Sequence, residues 1–321
     1  MAVYTEVTDE DLTRFLARYD CGELANYKGI AEGVENTNYL VRTDRGPYIL
    51  TLYEKRVNAD DLPYFLGLKQ HLARRGVPCP VPVVDTSGQT LGELNGRRAA
   101  LITFLDGVSV KRPQPEHCAL VGKALARMHL AGAGFQMQRA NALGPKGWPP
   151  LYTRFQARAD EIAPGLAQLI ESELAVHAKG LPIDLPQGII HADLFPDNVF
   201  FSHGLLSGLI DFYFACNDAL AYDIGICLNA WCFSTEHEFD IGKGRALLAG
   251  YDSVRPLAAV ERAGMPMLAR AASLRFLLTR SYDWLNRPAG ALVTPHDPRD
   301  FVARLEFHRT VASIADYGGV A

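Results

Sequence analysis

The change from strand-like to helical patterns after about residue 105 is the feature that most constrains the fold of this chain. Residues 38–43 and 48–53 are apolar-rich runs on either side of a short polar turn sequence, which is typical of a β-hairpin. Asn95-Gly96 separates residues 90–94 from residues 97–105, and Asn-Gly between apolar runs is a strong hairpin signal. The first hundred residues therefore predict a mostly antiparallel sheet.

Helical periodicity occurs once before this sheet, once within it and repeatedly after it. The segments with this pattern are residues 9–19, 61–75, 116–131, 151–178 and 241–285. We expect the last of them to be interrupted near Gly264 and Pro266, because proline disrupts a helix interior. The sequence thus predicts an α+β protein with two lobes, an antiparallel β-rich lobe over residues 1–106 and a mostly helical lobe over residues 107–321. The cleft between two such lobes is the default ligand site.

Composition excludes several classes of function. The 321 residues are 48% hydrophobic and 21% charged, which is the balance of an ordinary globular protein. Lys plus Arg number 32 against 36 Asp plus Glu, so there is no basic excess to bind nucleic acid. No apolar run approaches the ~18 residues of a membrane span, and the first dozen residues do not resemble a signal peptide. Six cysteines without a C-x-x-C pair indicate reduced thiols and a cytoplasmic protein.

Residues 187–213 contain the polar side chains best suited to chemistry. Residues 199–201 and 209–210 read as two short strands around a turn, and a turn centred between Gly204 and Leu205 places Asn198 opposite Asp211. An amide oxygen and a carboxylate suit Mg²⁺, which takes few protein ligands and leaves positions for phosphate oxygens. Asp193, five residues before Asn198, is a candidate for orienting and deprotonating an attacking hydroxyl.

Each of these residues also has an ordinary structural interpretation. Asp193 fits a helix cap, Asn198 a turn residue and Asp211 a strand end. His191 fits a hydrogen-bonding residue of the loop better than an acid or base. Asp223 begins an apolar stretch, so a helix-capping or loop-bracing role is favoured over a catalytic one.

The spacing His-x-Asp-x-x-x-x-Asn, followed by a second Asp, matches the catalytic loop of kinases. On residues 191–198, 210–212 and 125–129, the chain resembles the aminoglycoside phosphotransferase and choline kinase-like branch of the protein-kinase fold. Residues 33–39, 48–55 and 275–280 resemble the homoserine kinase family within that branch. The similarity extends over about residues 25 to 290.

This resemblance implies specific roles for residues of the chain. Asp193 becomes the catalytic base, while Asn198 and Asp211 become ligands of Mg²⁺. The ATP phosphates are expected at Asn36, Thr37 and Asn38, and adenine at the backbone of Thr103, Phe104 and Leu105. The residues themselves predict that a helical arginine binds the carboxylate of the substrate, because a guanidinium fork suits that group. Arg280 is favoured over Arg275 because it lies closer to Tyr282 and Trp284, which are expected to shield the contact, whereas Arg275 is flanked by Leu274 and Phe276.

Two departures from the kinase pattern concern the phosphates. There is no Gly-x-Gly-x-x-Gly loop, only Gly29 and Gly33. Thr51 stands where kinases place a phosphate-contacting lysine, and residues 61–75 contain no glutamate to pair with one. Lys55 or Arg56 is a candidate replacement for that charge, although both also fit solvated residues after an edge strand.

The implied function is ATP-dependent phosphorylation of L-homoserine to O-phospho-L-homoserine, a step of threonine biosynthesis. The alternatives are another small-alcohol kinase, of choline, methylthioribose or aminoglycoside type, and a non-catalytic nucleotide-binding protein. From residue 213 to the end there are 12 acidic and 11 basic residues, a balance that argues against a polycationic aminoglycoside. The oligomeric state is open at this point.

Overall fold

A computed structural model describes residues 5–30, 36–54, 58–182, 184–287 and 295–320. The α-helices in these ranges are α1 (Asp9–Leu16), α2 (Leu62–Arg74), α3 (Pro115–Gly132), α4 (Trp148–Thr153), α5 (Leu166–His177), α6 (Leu220–Trp231), α7 (Ile241–Asp252), α8 (Ala259–Leu285) and α9 (Arg299–Thr310). The strands are β1 (Leu24–Ile30), β2 (Thr37–Thr43), β3 (Gly46–Tyr53), β4 (Gly92–Leu94), β5 (Arg97–Thr103), β6 (Gln187–Ile190), β7 (Val199–Ser202), β8 (Leu205–Leu209) and β9 (Cys216–Ala219).

The chain divides into two compact units. The first contains the described residues up to Gly107 together with Ser207–Tyr213, and the second contains Val108–Leu206 and the described residues from Phe214 onward. A segment from late in the sequence therefore belongs to the first unit.

The first unit is an antiparallel sheet in the order β1-β2-β3-β5-β4. Tyr39 lies opposite Leu50, and Leu50 lies opposite Leu101, so one face of three adjacent strands is apolar and buried. Helix α1 packs against this core through Phe15 and Leu16. Its N-terminus is closed by a capping box in which Thr8 and Asp11 exchange hydrogen bonds, an arrangement that satisfies two backbone donors at once.

Both hairpins expected in this sheet are present. Asn95 and Gly96 have φ values of 49° and 71°, the left-handed conformations that a tight type I′ turn requires. Strand β4 pairs antiparallel with β5 across this turn, so the Asn-Gly signal predicted their connection correctly. Strand β3 pairs with β2 on one side and with β5 on the other.

The returning segment Ser207–Tyr213 packs closely within the first unit. Leu209 donates a backbone hydrogen bond of 2.9 Å to the carbonyl of Pro78. A β-carbon on Gly208 would lie 2.9 Å from that same carbonyl oxygen. Glycine at this position lets two stretches of backbone approach, which a side chain would prevent.

The second unit is mainly helical. Helices α3 and α7 lie close together, and a β-carbon on Gly122 would clash with the carbonyl of Leu247. Helix α6 is buried along nearly its whole length, and α8 contributes a long row of buried side chains that includes Leu268, Leu274 and Leu278. Strands β6 and β9 pair antiparallel beside these helices.

Two expectations about this region are corrected. Helix α8 runs unbroken through Gly264 and Pro266, and the break falls instead between α7 and α8, at residues 253–258. Burial of one side of α8 over many turns offsets the hydrogen bond that Pro266 cannot donate. The turn between β7 and β8 lies at His203 and Gly204, both with positive φ, which shifts the hairpin register by two residues from the one expected.

No helix among the described residues is both long enough and apolar enough to span a membrane.

Candidate functional site

Asp193 and Asn198 lie together on the loop that follows β6. The amide nitrogen Nδ2 of Asn198 donates to the backbone carbonyl of Asp193 at 2.8 Å and to its carboxylate oxygen Oδ2 at 3.2 Å. A single-turn 3₁₀ helix, Pro196–Asn198, sets this geometry. One bond holds the backbone of Asp193 and the other restrains its carboxylate, and both leave Oδ1 of the Asn198 amide as the acceptor atom of that group.

Asp223, in the first turn of α6, holds the backbone just before Asp193. Its carboxylate accepts hydrogen bonds from the backbone nitrogens of His191 at 2.7 Å and Ala192 at 2.9 Å. Ala192 has φ of 63°, an uncommon conformation for a residue with a side chain. The loop-bracing role expected for Asp223 is therefore confirmed.

His129 joins Asp223 to Tyr251 through buried hydrogen bonds. Its Nε2 lies 3.2 Å from Oδ2 of Asp223, and its Nδ1 lies 2.7 Å from the hydroxyl of Tyr251. Burial by itself would raise the pKa of Asp223, but the hydrogen bonds and charges of His129 and His191 outweigh it and hold that pKa below its usual value. The carboxylate of Asp223 is thus stabilised in its charged form.

Arg275 is buried, and its guanidinium donates a short hydrogen bond to the carbonyl of Ala192. The guanidinium carbon also lies 4.1 Å from the ring centre of Phe276 and 5.4 Å from that of Phe214. The structure thus places Arg275 against the loop backbone, one residue before Asp193.

Arg280 lies one turn further along α8, within electrostatic reach of Asp193. Its guanidinium carbon is 4.6 Å from the ring centre of Phe301 and 5.6 Å from that of Phe195. Burial lowers the pKa of Arg280, while the negative charges of Asp300, Asp193 and others act in the opposite direction. The charge of Asp193 thus acts on Arg280, the arginine favoured for the substrate.

Tyr282 lies near the end of α8 and is half-buried. Its hydroxyl accepts a short hydrogen bond from Arg154, whose guanidinium carbon lies 4.1 Å from the centre of its ring. Tyr282 is therefore held by Arg154 in the second unit.

In the first unit, the side chains expected near the phosphates form a local hydrogen-bond network. The hydroxyl of Thr37 donates to Oε1 of Glu54 at 2.8 Å, and the backbone nitrogen of Glu54 donates to Asn36 Oδ1 at 3.3 Å. The hydroxyl of Thr51 donates to Asn38 Oδ1 at 2.8 Å. Thr51, which stands where kinases place the phosphate-contacting lysine, thus orients the side chain of Asn38, one of the residues expected near the ATP phosphates.

The expected adenine-binding backbone lies where β5 ends. Thr103 pairs with the backbone of Val81 through both its nitrogen and its hydroxyl, each at 2.9 Å. Phe104 and Leu105 follow this last strand residue, and the side chain of Phe104 is 42% exposed.

Lys69 is a charged residue of the first unit that the sequence analysis did not single out. It is buried on α2, and its Nζ lies 5.5 Å from the ring centre of Tyr213. Burial lowers its pKa to about 8, although the charges of Cys79 and Asp211 act to raise it. Lys69 occupies the apolar stripe of α2 with Phe65 and Leu72, and a lysine at such a position was the available sequence signal.

Asp211 lies at the end of the returning segment, with φ of 61°. It directly precedes a 3₁₀ turn, Phe212–Phe214. The other residues considered for the phosphate charge and loop, Gly33, Lys55 and Arg56, lie outside the described residues.

In the part of the chain that the structure describes, no three His, Cys, Asp or Glu side chains form a group suited to a metal ion. A site with one carboxylate, one amide oxygen and ligand phosphates does not need such a group, because Mg²⁺ keeps several water and phosphate ligands. The donor types of Asp211 and Asn198 therefore fit magnesium.

The chain is similar to known phosphotransferases along most of its length. The model of the phosphotransferase enzyme family matches residues 26–257. A homoserine kinase of Xanthobacter autotrophicus is 59% identical over 318 residues, which is 99% of each chain. A homoserine kinase of Rhodopseudomonas palustris is 60% identical over 319 residues, covering 99% of this chain and 98% of that one.

Solved structures show the same fold at low sequence identity. An amicoumacin kinase, solved with AMP-PNP and Ca²⁺, is 18% identical with a TM-score of 0.68, covering 94% of this chain and 92% of its own. A spectinomycin phosphotransferase, solved with ADP, is 12% identical with a TM-score of 0.69, covering 98% of both chains. The expected α+β kinase-like fold is thereby confirmed. By its sequence over nearly its full length, the chain belongs to the homoserine kinases of the phosphotransferase enzyme family.

Proposed function

We propose that this protein transfers the terminal phosphoryl group of ATP to the hydroxyl of L-homoserine, giving O-phospho-L-homoserine for threonine biosynthesis. The observation that carries the proposal is the geometry of Asp193, which is fixed by Asn198 on a loop braced by Asp223. Relatives that are 59–60% identical and named homoserine kinases support the choice of substrate.

Asp193 is the general base in this reaction. Its carboxylate accepts a hydrogen bond from the homoserine hydroxyl, orients that oxygen for in-line attack and takes its proton. The bond from Asn198 Nδ2 at 3.2 Å restrains the carboxylate, and such restraint lowers the barrier because the reacting groups are already positioned.

Mg²⁺ is the metal that this reaction requires, and Asp211 and Asn198 are the residues that would hold it. Their carboxylate and amide oxygens are hard ligands of the kind magnesium prefers. When bound, the ion neutralises charge on the phosphate oxygens. The role of the chain itself is to present these oxygens and to keep Asp193 oriented.

For ATP, we place the phosphates at Asn36, Thr37 and Asn38 and the adenine at the backbone of residues 103–105. Support comes from the network that orders Asn36 and Asn38 through Glu54 and Thr51. Phe104 and Leu105 lie beyond the last paired residue of β5, so their backbone groups lie outside the sheet ladder.

For homoserine, we place the carboxylate at Arg280. The charge of Asp193 acts on this guanidinium, as expected when one small molecule contacts both residues. Arg275 and Tyr282 are assigned supporting positions, Arg275 on the backbone of the catalytic loop and Tyr282 further along α8.

We also place the protein in the cytoplasm. All six cysteines lie in described segments and are buried free thiols, a state typical of proteins in reducing compartments. A biosynthetic kinase that consumes ATP is expected in the same compartment.

The test is a coupled ADP-release assay of the purified protein with L-homoserine, choline, methylthioribose and an aminoglycoside. We expect homoserine to give the highest kcat/KM by at least a hundredfold, and we expect ³¹P NMR to show a phosphomonoester. If another alcohol gives a higher kcat/KM than homoserine, the protein belongs with the other small-alcohol kinases. Nucleotide binding without turnover of any alcohol would indicate a non-catalytic protein.

A further inference from the structure

A second arginine lies beside Arg280 in the helical unit. Arg304, on α9, has its guanidinium carbon 4.6 Å from the ring centre of Phe301, the same distance as that of Arg280. Because both carbons lie this close to one ring, the two guanidinium groups are neighbours. Phe301 itself is fully buried, so it fixes the apolar surface on which both groups rest.

The negative charges near this pair act mainly on Arg280. Oδ2 of Asp300 lies 3.8 Å from Nη1 of Arg280, and the charges of Asp193, Asp197 and Asp297 also act on that group, whereas the carboxylate that acts on Arg304 is Asp300. Burial, and after it the positive charge of Arg280, lowers the pKa of Arg304 to about 10. Two like charges held together at a partly buried position favour an anion between them.

Arg304 also has unused hydrogen-bonding capacity. Its Nη1 donates to the backbone carbonyl of Asn229 at 2.9 Å. Its Nε is buried, and no acceptor for it exists among the described residues. A buried donor without a partner is costly, so a water molecule, an ion or a ligand is expected to accept from it.

The length of homoserine sets how far Asp193 can lie from a guanidinium that binds the carboxylate of the same molecule. Its hydroxyl oxygen and carboxyl carbon are separated by roughly 5 Å when the molecule is extended. A hydrogen bond at each end brings the span from base to guanidinium to about 10 Å. At that separation charges still interact measurably, as the charges of Asp193 and Arg280 do here.

We propose that Arg304 and Arg280 together bind the α-carboxylate of the amino-acid substrate, with Arg304 as the second cation of the site. This inference rests on the proposed function and adds to it a residue from a different helix. A planar guanidinium offers two parallel N–H donors to a carboxylate. In Arg304 the Nε–H, which lacks a protein acceptor, is the donor assigned to the substrate.

The test compares two acceptors that differ only in the carboxylate, L-homoserine and 3-amino-1-propanol. For Arg304→Gln we expect KM for homoserine to rise about tenfold or more, with kcat/KM for the amino alcohol and KM for ATP within twofold of wild type. Where the amino alcohol reacts too slowly, its inhibition constant against homoserine replaces kcat/KM. The matched control is Arg309→Gln, which removes an exposed arginine of the same helix and should change neither acceptor.

Two further variants test the proposal alongside Arg304→Gln. Arg304→Lys retains the charge without the fork, so we expect it to recover part of the affinity for homoserine. If both arginines bind one carboxylate, their contributions are coupled. The double variant, Arg280→Gln with Arg304→Gln, should then raise KM for homoserine by less than the product of the two single-variant increases.

The failures of the inference and of the proposed function are separable. Wild-type protein that does not phosphorylate homoserine would overturn the function. If the wild-type protein phosphorylates homoserine but Arg304→Gln loses kcat/KM equally toward both acceptors, Arg304 only supports α6. That result would overturn the inference. A rise in KM for ATP alone would assign the pair to phosphate and would overturn it as well.

Discussion

The carboxylate of Asp223 accepts a 2.7 Å hydrogen bond from the backbone nitrogen of His191, and so connects the first turn of α6 to the loop that carries the proposed catalytic base. The same carboxylate accepts a second hydrogen bond from the backbone nitrogen of Ala192. Ala192 adopts a left-handed conformation, and such conformations persist where the surrounding structure imposes them. The position of Asp193 therefore depends on a residue 30 positions later in the chain.

Asp223→Asn should lower both stability and activity. An amide has one acceptor oxygen where the carboxylate has two, so a buried backbone N–H loses its partner. We expect the free energy of unfolding to fall by about 3 kcal/mol and kcat to fall at least tenfold, because small misplacements of a base are costly. Urea denaturation and steady-state kinetics measure these changes. Asp20→Asn, at an exposed ion pair, should change neither quantity.

Stability should depend on the charge of Asp223 at acid pH. Its pKa in the folded protein lies below the ordinary value of 3.8, so the stabilisation is complete above about pH 5 and is lost as pH falls through the lower, folded-state pKa. We expect the difference in unfolding free energy between wild type and Asp223→Asn to be constant from pH 5 to 7 and to shrink below pH 4. Urea titrations at several pH values measure this difference, and a difference that grew on acidification would contradict the assignment.

Asp193→Asn should nearly abolish turnover with little change in ATP affinity. The base acts on the acceptor hydroxyl, and general-base catalysis typically contributes ~10²–10⁴-fold. We expect kcat to fall by at least a hundredfold and the Kd of ATP to stay within a few-fold of wild type, as measured by single-turnover kinetics and calorimetry. A variant that retained more than about a tenth of wild-type kcat would be inconsistent with a base at this position.

Asp211→Ala should weaken the response to magnesium more than Asn198→Ala does. A carboxylate is the stronger hard ligand, whereas an amide oxygen is neutral. We expect the Mg²⁺ concentration at half-maximal activity to rise about tenfold or more for Asp211→Ala and less for Asn198→Ala. Magnesium titrations at saturating ATP provide the measurement. Unchanged half-saturation in both variants would remove these residues from the metal site.

Lys69→Met should stabilise the protein and weaken its use of ATP. Burial holds the pKa of Lys69 near 8, so its charge is costly at neutral pH, and its removal should raise the free energy of unfolding by about 1–3 kcal/mol. The positive charge beside Asp211 is lost at the same time, and we expect KM for ATP to rise several-fold. Lys123→Met, on α3, is a control for loss of a lysine. A variant with wild-type stability and kinetics would show that the burial of Lys69 has neither consequence.

The parts of the structure that sequence predicted well depend on local chemistry. Asn95-Gly96 predicted a hairpin because few dipeptides accept two positive φ values. The short separation of Asp193 and Asn198 kept them on one loop, and their hydrogen bonds follow from it.

The parts that sequence did not predict depend on packing between distant segments. Helix α6 is buried on nearly all sides and mostly apolar, so its sequence shows no amphipathic periodicity, and the continuity of α8 through Pro266 comes from burial. Arg304 becomes notable only when folding removes it from water, whereas the apolar stripe of α2 was a signal for Lys69 that the sequence analysis did not use.

The inclusion of Ser207–Tyr213 in the first unit has a consequence for biosynthesis. The strands of that unit leave the ribosome within the first 107 residues, but its last piece follows about a hundred residues later. At ordinary rates of translation this delay is roughly 5–20 s. Throughout that interval the carbonyl of Pro78 lacks the amide of Leu209, and the space beside Gly208 is unfilled. The first unit therefore stays incomplete, although its N-terminal 107 residues have been synthesised, until Ser207–Tyr213 follow.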